Sequence, residues 1–354
     1  PLASIPPFRI SDFLLYTPFI MMPVMYFLAM LLACQCSAFR VMQYNVEWLF
    51  LDYYSPADCP GQGCTWTDAD RAETHMTAVA DVVSAVRPDL LNICEVEGMH
   101  EIDTLAQLSR DDSGKALQGH FVKGTDTATG QNVGLLTSLP VLDMYRLNDR
   151  VAFPVPGSTC AAESAIDAVG NTKQLRGSSD EGVSKNYVAK IQWMGVDITV
   201  FGAHFLAYPD RSDRCVKREA QAAVVADAVA DALKTSEVIL LGDFNDYDAE
   251  VPDKNNNRPI SLVLDTLKNG TAARPYDRVL RSAAEWVGQG DRYSDWWDKN
   301  GDCAAEDGEL GAIDHVLLSP ALFDRIDDVF FYHAYTESCD RNTSDHYPLV
   351  VDLV

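Results

Sequence analysis

Basic residues are scarce in this sequence. Its 354 residues include 28 Lys and Arg against 52 Asp and Glu, a formal charge of −24. A field of that sign repels polyanions at long range, so a broad basic surface for nucleic acid is excluded. Any phosphate-bearing ligand must be held locally, by a metal ion or a few Arg and Lys. Internal repeats are missing, as is any linker long enough to split the chain, so one large α/β domain is expected. No long exposed hydrophobic hairpin follows residue 38, which leans against a membrane-inserting device.

The one long apolar run is residues 19–34, "FIMMPVMYFLAMLLAC", followed by small residues up to Ala38. Its length and ending read as a secretory leader over residues 1–38, with a membrane anchor as the rival, although the run is short for one. The sequence starts at Pro1, so Met21 or Met22 is a candidate first residue. Cysteine usage points the same way. Cys94 lies in the apolar "PDLLNICEV" and reads as a buried free thiol. Cys59, Cys64, Cys160, Cys215, Cys303 and Cys339 lie in polar surroundings and suggest three disulfides in an oxidising compartment. Their pairing is open; Cys59–Cys64, Cys160–Cys215 and Cys303–Cys339 is the set adopted here. Asn269 and Asn342 begin N-glycosylation sequons.

From Phe39 onward, short apolar runs alternate with helical periodicity. Ala72, Met76, Val79, Val83 and Val86 recur at helical spacing over residues 68–87, and Pro88 ends the helix. Residues 212–234 form a second long helix with Ala222, Val225, Ala226, Val229 and Leu233 on one face. "NYVAKIQWM" and "VDITVFGAHF" read as a hairpin turning at Gly195. Apolar runs repeatedly carry a polar residue able to bind metal or phosphate. Asn45, Glu95, His204 and the pair Asp243 and Asn245 close four of them. Asp314 and His315 interrupt a fifth, and Asp345 and His346 precede the last strand. Layered α/β folds deliver such strand ends to one cleft. Taken singly these residues have ordinary explanations, such as turn formation for Asn45 or core packing for His204. Their ordered recurrence is what points to a site.

That ordered series, "QYNVEWL", "PDLLNICEVEG", "FGAHF", "LLGDFND", "IDHVLLS" and "SDHYPLVVDL", resembles the endonuclease/exonuclease/phosphatase superfamily, which includes DNase I-like nucleases, neutral sphingomyelinases and inositol-polyphosphate 5-phosphatases. The match covers most of residues 39–354, the expected catalytic domain. The resemblance implies a four-layer α/β sandwich, with two packed, mainly antiparallel mixed β-sheets and helices on the outer faces. It implies hydrolysis of a phosphodiester by an activated water, without a covalent intermediate. Glu95 would be the direct ligand of Mg²⁺, or of Mn²⁺ or Ca²⁺, assisted by Asn45 and Asp345; hard oxygen ligands select those ions. His204 and His346 would contact the scissile phosphate, and Asp314 would orient His346. Asp243 would position or deprotonate the water, with Asn245 beside it. A secreted DNase I-like nuclease is the favoured activity, acting as a monomer with no protein partner implied. A sphingomyelinase-like or small phosphate-ester phosphatase is the alternative, and a catalytically dead binding module the third reading.

Around this constellation, Glu47 would share the face of Asn45 if its strand continues. Glu97 rivals Glu95. His315, next to Asp314, should point to the opposite face. Arg211, Arg214 and Arg218 follow His204 and could hold flanking phosphates at a helix start; Lys185, Asn186 and Asn132 are further candidates. Asp246 and Asp248, after the Asp243–Asn245 pair, read as a solvent-facing turn. Residues 298–309, "DKNGDCAAEDGE", nearly fit a calcium-binding loop through Asp298, Asn300, Asp302 and Glu309, with Cys303 in place of the turn glycine. The aromatics of "YSDWW" either line the cleft or pack in the core.

Overall fold

Period-2 patterning sorts the central strands into two faces. In β1 (Phe39–Leu49) Val41 faces a core shared with a second sheet, while Met42, Tyr44 and Val46 face helices. In β2 (Leu90–Val96) Leu90 and Cys94 lie on the inner face and Leu91 and Ile93 on the outer one. β3 (Gln118–Phe121), β4 (Asn132–Thr137), β11 (Ile326–Phe331) and β12 (Leu349–Leu353) complete the first sheet, in the order β11-β12-β1-β2-β4-β3. The second sheet contains β5 (Val141–Tyr145), β6 (Lys185–Trp193), β7 (Val196–His204), β8 (Glu237–Asp243), β9 (Arg281–Ser282) and β10 (Asp314–Leu318), in the order β9-β10-β8-β7-β6-β5. β1–β2 and β7–β8 are parallel, and the other neighbours are antiparallel. β6 and β7 form the expected hairpin, turning through Met194 and Gly195 at φ 49° and 79°, the left-handed pair a tight two-residue turn requires.

The computed structural model describes residues 38–51, 69–109, 116–160, 179–334 and 343–354. The expected leader up to residue 37, together with Cys59, Cys64, Cys339 and the Asn342 sequon, lies outside those residues.

Helices cover both outer faces. α1 (Ala69–Val86) and α2 (Met99–Leu108) bury Val79, Val83, Ile102 and Leu105 against Tyr44 and Ile93. α1 stops where Arg87 takes a left-handed φ of 58° ahead of Pro88. α3 (Ser212–Ala232) and α4 (Val263–Asn269) pack Ala222, Val225, Val229 and Leu267 onto Phe201 and Leu240. The result is the four-layer α/β sandwich, whose compact unit spans Phe39–Leu353. Between the sheets, Val200, Leu241, Val316 and Val351 are fully buried, each contributing about 1.5–3 kcal/mol.

Cys160 and Cys215 form the expected disulfide, Cα–Cα 5.7 Å, tying residue 160 to the first turn of α3. Cys303 is also disulfide-bonded. Cys94 is buried and free. Asn269 ends α4 and its side-chain amide donates to Asp265. Among the described residues no helix is long and apolar enough to cross a membrane.

Candidate active site

The inner-face positions run on past the apolar core and turn polar at one end. On β1 Val41 is followed by Gln43 and Asn45, on β7 Val200 by Gly202 and His204, and on β8 Leu241 by Asp243. On β10 Leu318 and Val316 lead back to Asp314. Asp243 is in register with His204 on one side and Asp314 on the other, so one rung of the sheet collects three of the expected residues. A one-residue slip would send all three to the helix face.

Glu95 arrives by another device. Strict alternation would aim it at the helices with Leu91 and Ile93. A left-handed φ of 68° and a register shift between Cys94 and Val96 make a bulge that turns its carboxylate into the cleft. β1 is irregular at the same level, where Glu47 and Trp48 take φ 49° and 54°.

The side chains form one connected cluster. Asn45 Nδ2 donates to Asp243 Oδ2 at 3.0 Å and to Glu95 Oε1 at 3.2 Å, and lies 3.4 Å from His346 Nε2. His204 Nε2 is 3.5 Å from Asp243 Oδ2 and 3.8 Å from Glu95 Oε1. His346 Nδ1 is hydrogen-bonded to Asp314 Oδ2 at 2.7 Å. The backbone N–H of Asn245 donates to Asp243 Oδ1 at 2.9 Å, and its side chain to Phe205 O at 3.4 Å. Asn245 has a left-handed φ of 50°, so it is not the extended continuation of β8 that its spacing from Asp243 suggested. Glu47 Oε2 accepts the N–H of Asp345 at 3.1 Å. Glu95, His204, Asp243, Asn245, Asp345 and His346 all line a cleft of about 390 Å³.

Acids outnumber cations here. Burial raises the pKa of Glu47, Glu95, Asp243 and Asp345, and neighbouring carboxylates raise each further; Asp243 reaches about 8. Burial would lower His346, but Asp314 and then Asp345 carry it well above its usual value. His204 is held well below its usual value by burial, then by Lys185 and His346. The two histidines are thus pushed in opposite directions, His346 toward its charged form and His204 toward its neutral one. Lys185 Nζ stands 3.4 Å from His204 Nε2 and donates to Gln131.

Crowded, destabilised carboxylates fit a hard divalent cation. Glu95 and Asp345 supply carboxylate oxygens at the cleft wall, with Glu47 against Asp345. The expected ligand role of Asn45 is corrected: its Oδ1 accepts the backbone N–H of Glu47 at 3.1 Å, and its NH₂ holds Glu95 and Asp243. Ligand atoms of Asp243, Asp314 and His346 also lie within 4.8 Å of one another. The 2.7 Å bond between Asp314 and His346 uses two of those atoms on each other, so that trio reads as a hydrogen-bonded relay rather than a cage.

Other expectations are corrected. Arg218 does not reach the cleft. It is fully buried, bonded to Asp246 at 3.2 Å and to the carbonyls of Tyr208 and Pro209 at 2.8 and 2.6 Å. Asp246 is therefore no solvent-facing turn residue, and neither is Asp248, which is 4% exposed and takes Lys268 Nζ at 2.9 Å. Arg211 lines the cleft but pairs with Asp213, and Arg214 stacks over Tyr208 at 4.6 Å. Asn132 and Asn186 hold loop backbone, at Gly124 and Leu147. His315 does face away, bonding Asp246 O and stacking on Phe244. In residues 298–309 the acids turn onto their own backbone. Asp298 accepts from Gly301 and Cys303, Asp302 from Ala304, and Glu309 from Lys299, Glu306 and the Trp296 indole, so they do not converge on a calcium site. The "YSDWW" aromatics divide: Trp296 is buried against Leu310 and Tyr347, whereas Trp297 is 56% exposed beside Tyr208 at the cleft wall. Tyr208 and Asp295, also in that wall, follow no local pattern that marks them in the sequence.

The profile of the Endonuclease/Exonuclease/phosphatase family matches residues 42–346. Among solved structures, an endonuclease/exonuclease/phosphatase from Bacteroides vulgatus superposes with TM-score 0.54 at 15% identity, covering 90% of this chain and 99% of that one. The 3′ phosphatase NExo from Neisseria, bound to a product DNA hairpin, gives 0.53 at 15%, covering 90% and 100%. A humanized TDP2 of D. rerio gives 0.52 at 16%, covering 90% and 99%. At these identities the likeness establishes the fold. No curated protein matches the sequence.

Proposed function

This chain belongs to the Endonuclease/Exonuclease/phosphatase family, and on that premise we propose that it is an exported, divalent-metal-dependent phosphodiesterase acting on nucleic acid. Members of the family hydrolyse phosphoester bonds, and the chain is a phosphoric ester hydrolase. The observation that carries the reading is the cluster at the strand ends, where His346 and His204 face Asp243, Glu95 and Asp345.

Each residue has a part in hydrolysis. Asp314 accepts the Nδ1 proton of His346 and so leaves its Nε2–H aimed at a phosphoryl oxygen. Asp243, fixed by Asn45 and by the amide of Asn245, takes the proton of the attacking water. His204 holds a second phosphoryl oxygen and keeps the water against Asp243. Glu95 and Asp345, with Asn45 orienting Glu95, would hold a divalent cation, which would supply positive charge against that developing on the phosphate.

Nucleic acid is favoured over lipid by the wall of the cleft. Tyr208 and Trp297 give exposed rings on which a base can stack, and Lys299 and Arg211 lie beside them. The net charge of −24 weighs against a long duplex, which presents the most phosphate charge. NExo, one of the solved structures of similar fold, holds a DNA product. Export is supported by the Cys160–Cys215 disulfide and the apolar run before residue 38. The catalytic domain is residues 39–354, preceded by a leader, and the site is built from one copy of the chain.

Hydrolysis of single-stranded DNA, plasmid DNA, RNA, sphingomyelin and bis-p-nitrophenyl phosphate, each with Mg²⁺ and with EDTA, tests this. Nucleic-acid cleavage that needs the metal and disappears in His204→Ala is expected. Activity that survives EDTA overturns the mechanism, and preference for sphingomyelin overturns the substrate class.

A further inference from the structure

Two buried amides stand behind the cleft, and nothing in the hydrolytic scheme above uses them. Gln43 and Asn92 are both fully buried on the inner faces of β1 and β2, among Val41, Leu90, Leu135 and Leu241. They are register partners in the parallel β1–β2 pair, one inner-face step below Asn45 and Cys94. Asn92 Nδ2 donates to Gln43 Oε1 at 2.5 Å, and Gln43 Nε2 donates to Asp314 Oδ1 at 3.0 Å. The other oxygen of Asp314 holds His346. The orientation of Gln43 follows from chemistry. Asp314 Oδ1 accepts here, so Gln43 presents its NH₂ there and leaves its oxygen for Asn92.

The surrounding strands make room for this line. A Cβ on Gly202 of β7 would lie 2.3 Å from Asn92 Oδ1 and 2.3 Å from a ring carbon of Tyr187. Among the described residues Asn92 Oδ1 is buried with no hydrogen-bond partner, a cost that an apolar residue would avoid. Packing alone therefore does not explain amides at these two positions.

We propose that Gln43 and Asn92 are positioning residues for hydrolysis. They lock the Asp314 carboxylate in the orientation that fixes the ring and tautomer of His346, and they set turnover without touching substrate. The inference rests on the reading of Asp314 and His346 as hydrolytic.

The test measures kcat and KM on bis-p-nitrophenyl phosphate with Mg²⁺, together with urea midpoints, for Gln43→Met, for Asn92→Leu and for the double variant, with Asp314→Asn as control. Gln43→Met should lower kcat about tenfold to a hundredfold while KM changes less than about twofold. The double variant, its core now apolar, should keep or raise its urea midpoint without recovering kcat, which a purely structural role would not produce. A folded Gln43→Met or double variant with wild-type kcat overturns the proposal. An Asp314→Asn protein with wild-type kcat instead overturns the hydrolytic reading of the site. Should the variants fail to fold, the wild-type protein still decides. NMR coupling through the hydrogen bond from Gln43 Nε2 to the Asp314 carboxylate is expected, and its absence overturns the relay.

Discussion

Asp243 and Asp246 are three residues apart and both buried, but their surroundings differ. Asp246 has the guanidinium of Arg218 at 3.2 Å and the hydroxyl of Ser261 against the same oxygen. Asp248, two residues on, has Lys268. Among the described residues Asp243 has no Arg or Lys within ion-pair distance; its neighbours are Asn45, two histidines and, nearby, Glu95. The chain neutralises the acids that hold its loops and leaves in surplus those that face the cleft. The same short stretch thus supplies two kinds of carboxylate, one serving the fold and the other waiting for a cation and a substrate.

The largest effect expected is on chemistry. Asp243→Asn should lower kcat about 10²–10³-fold or more, with the urea midpoint unchanged or raised, because burial already disfavours the ionised form. A clear loss of stability in that variant would place Asp243 with the fold-serving acids. Arg218→Met is the mirror case. It strands a buried carboxylate and leaves two carbonyls without their donor, so it should destabilise by about 3–5 kcal/mol in urea unfolding. A loss of turnover with full stability would instead return Arg218 to the cleft.

The smallest of these effects is a pH dependence. Asp243, with its pKa raised to about 8 in the fold, contributes stability that is present below its unfolded pKa and is lost as pH rises through 8. Asp248 has the opposite sign: Lys268 holds it below its usual value despite burial, and its contribution is lost only as pH falls below about 4. His75, His204 and His315 are lowered by burial and act only below about 6.5. His346, raised well above its usual value, adds a loss of the same sign as Asp243, so between pH 7 and 8 the metal-free protein should lose at least about 1 kcal/mol of stability. Mg²⁺ should flatten or reverse that slope, since the ion competes with protons for the same oxygens. A metal-free slope of the opposite sign would show that the acid cluster is not strained as described.

The strand framework was legible because alternation is local. Val41, Gln43 and Asn45, or Ile239, Leu241 and Asp243, share a face in any extended strand, and so the inner-face members of the site stood out. Glu95 stood out as a polar end to an apolar run, but its aim did not, since only the bulge brings it to the cleft, and a bulge leaves no mark in the hydrophobic pattern. Arg218 and Asp246 were misread because their bond joins α3 to the loop after β8, a contact 28 residues apart that neither segment encodes by itself. Gln43 and Asn92 were overlooked for a related reason: inside an apolar run an amide is conspicuous only once its partner on another strand is known.

Melting temperature as a function of Mg²⁺ concentration, for the wild type and for Glu95→Gln, tests most directly that the cleft holds surplus carboxylates for a divalent cation. Binding to the folded state alone should raise the wild-type midpoint progressively with Mg²⁺, and Glu95→Gln should lose most of that rise while starting from an equal or higher midpoint. A wild-type midpoint indifferent to Mg²⁺, or an equal rise in both proteins, would contradict the account.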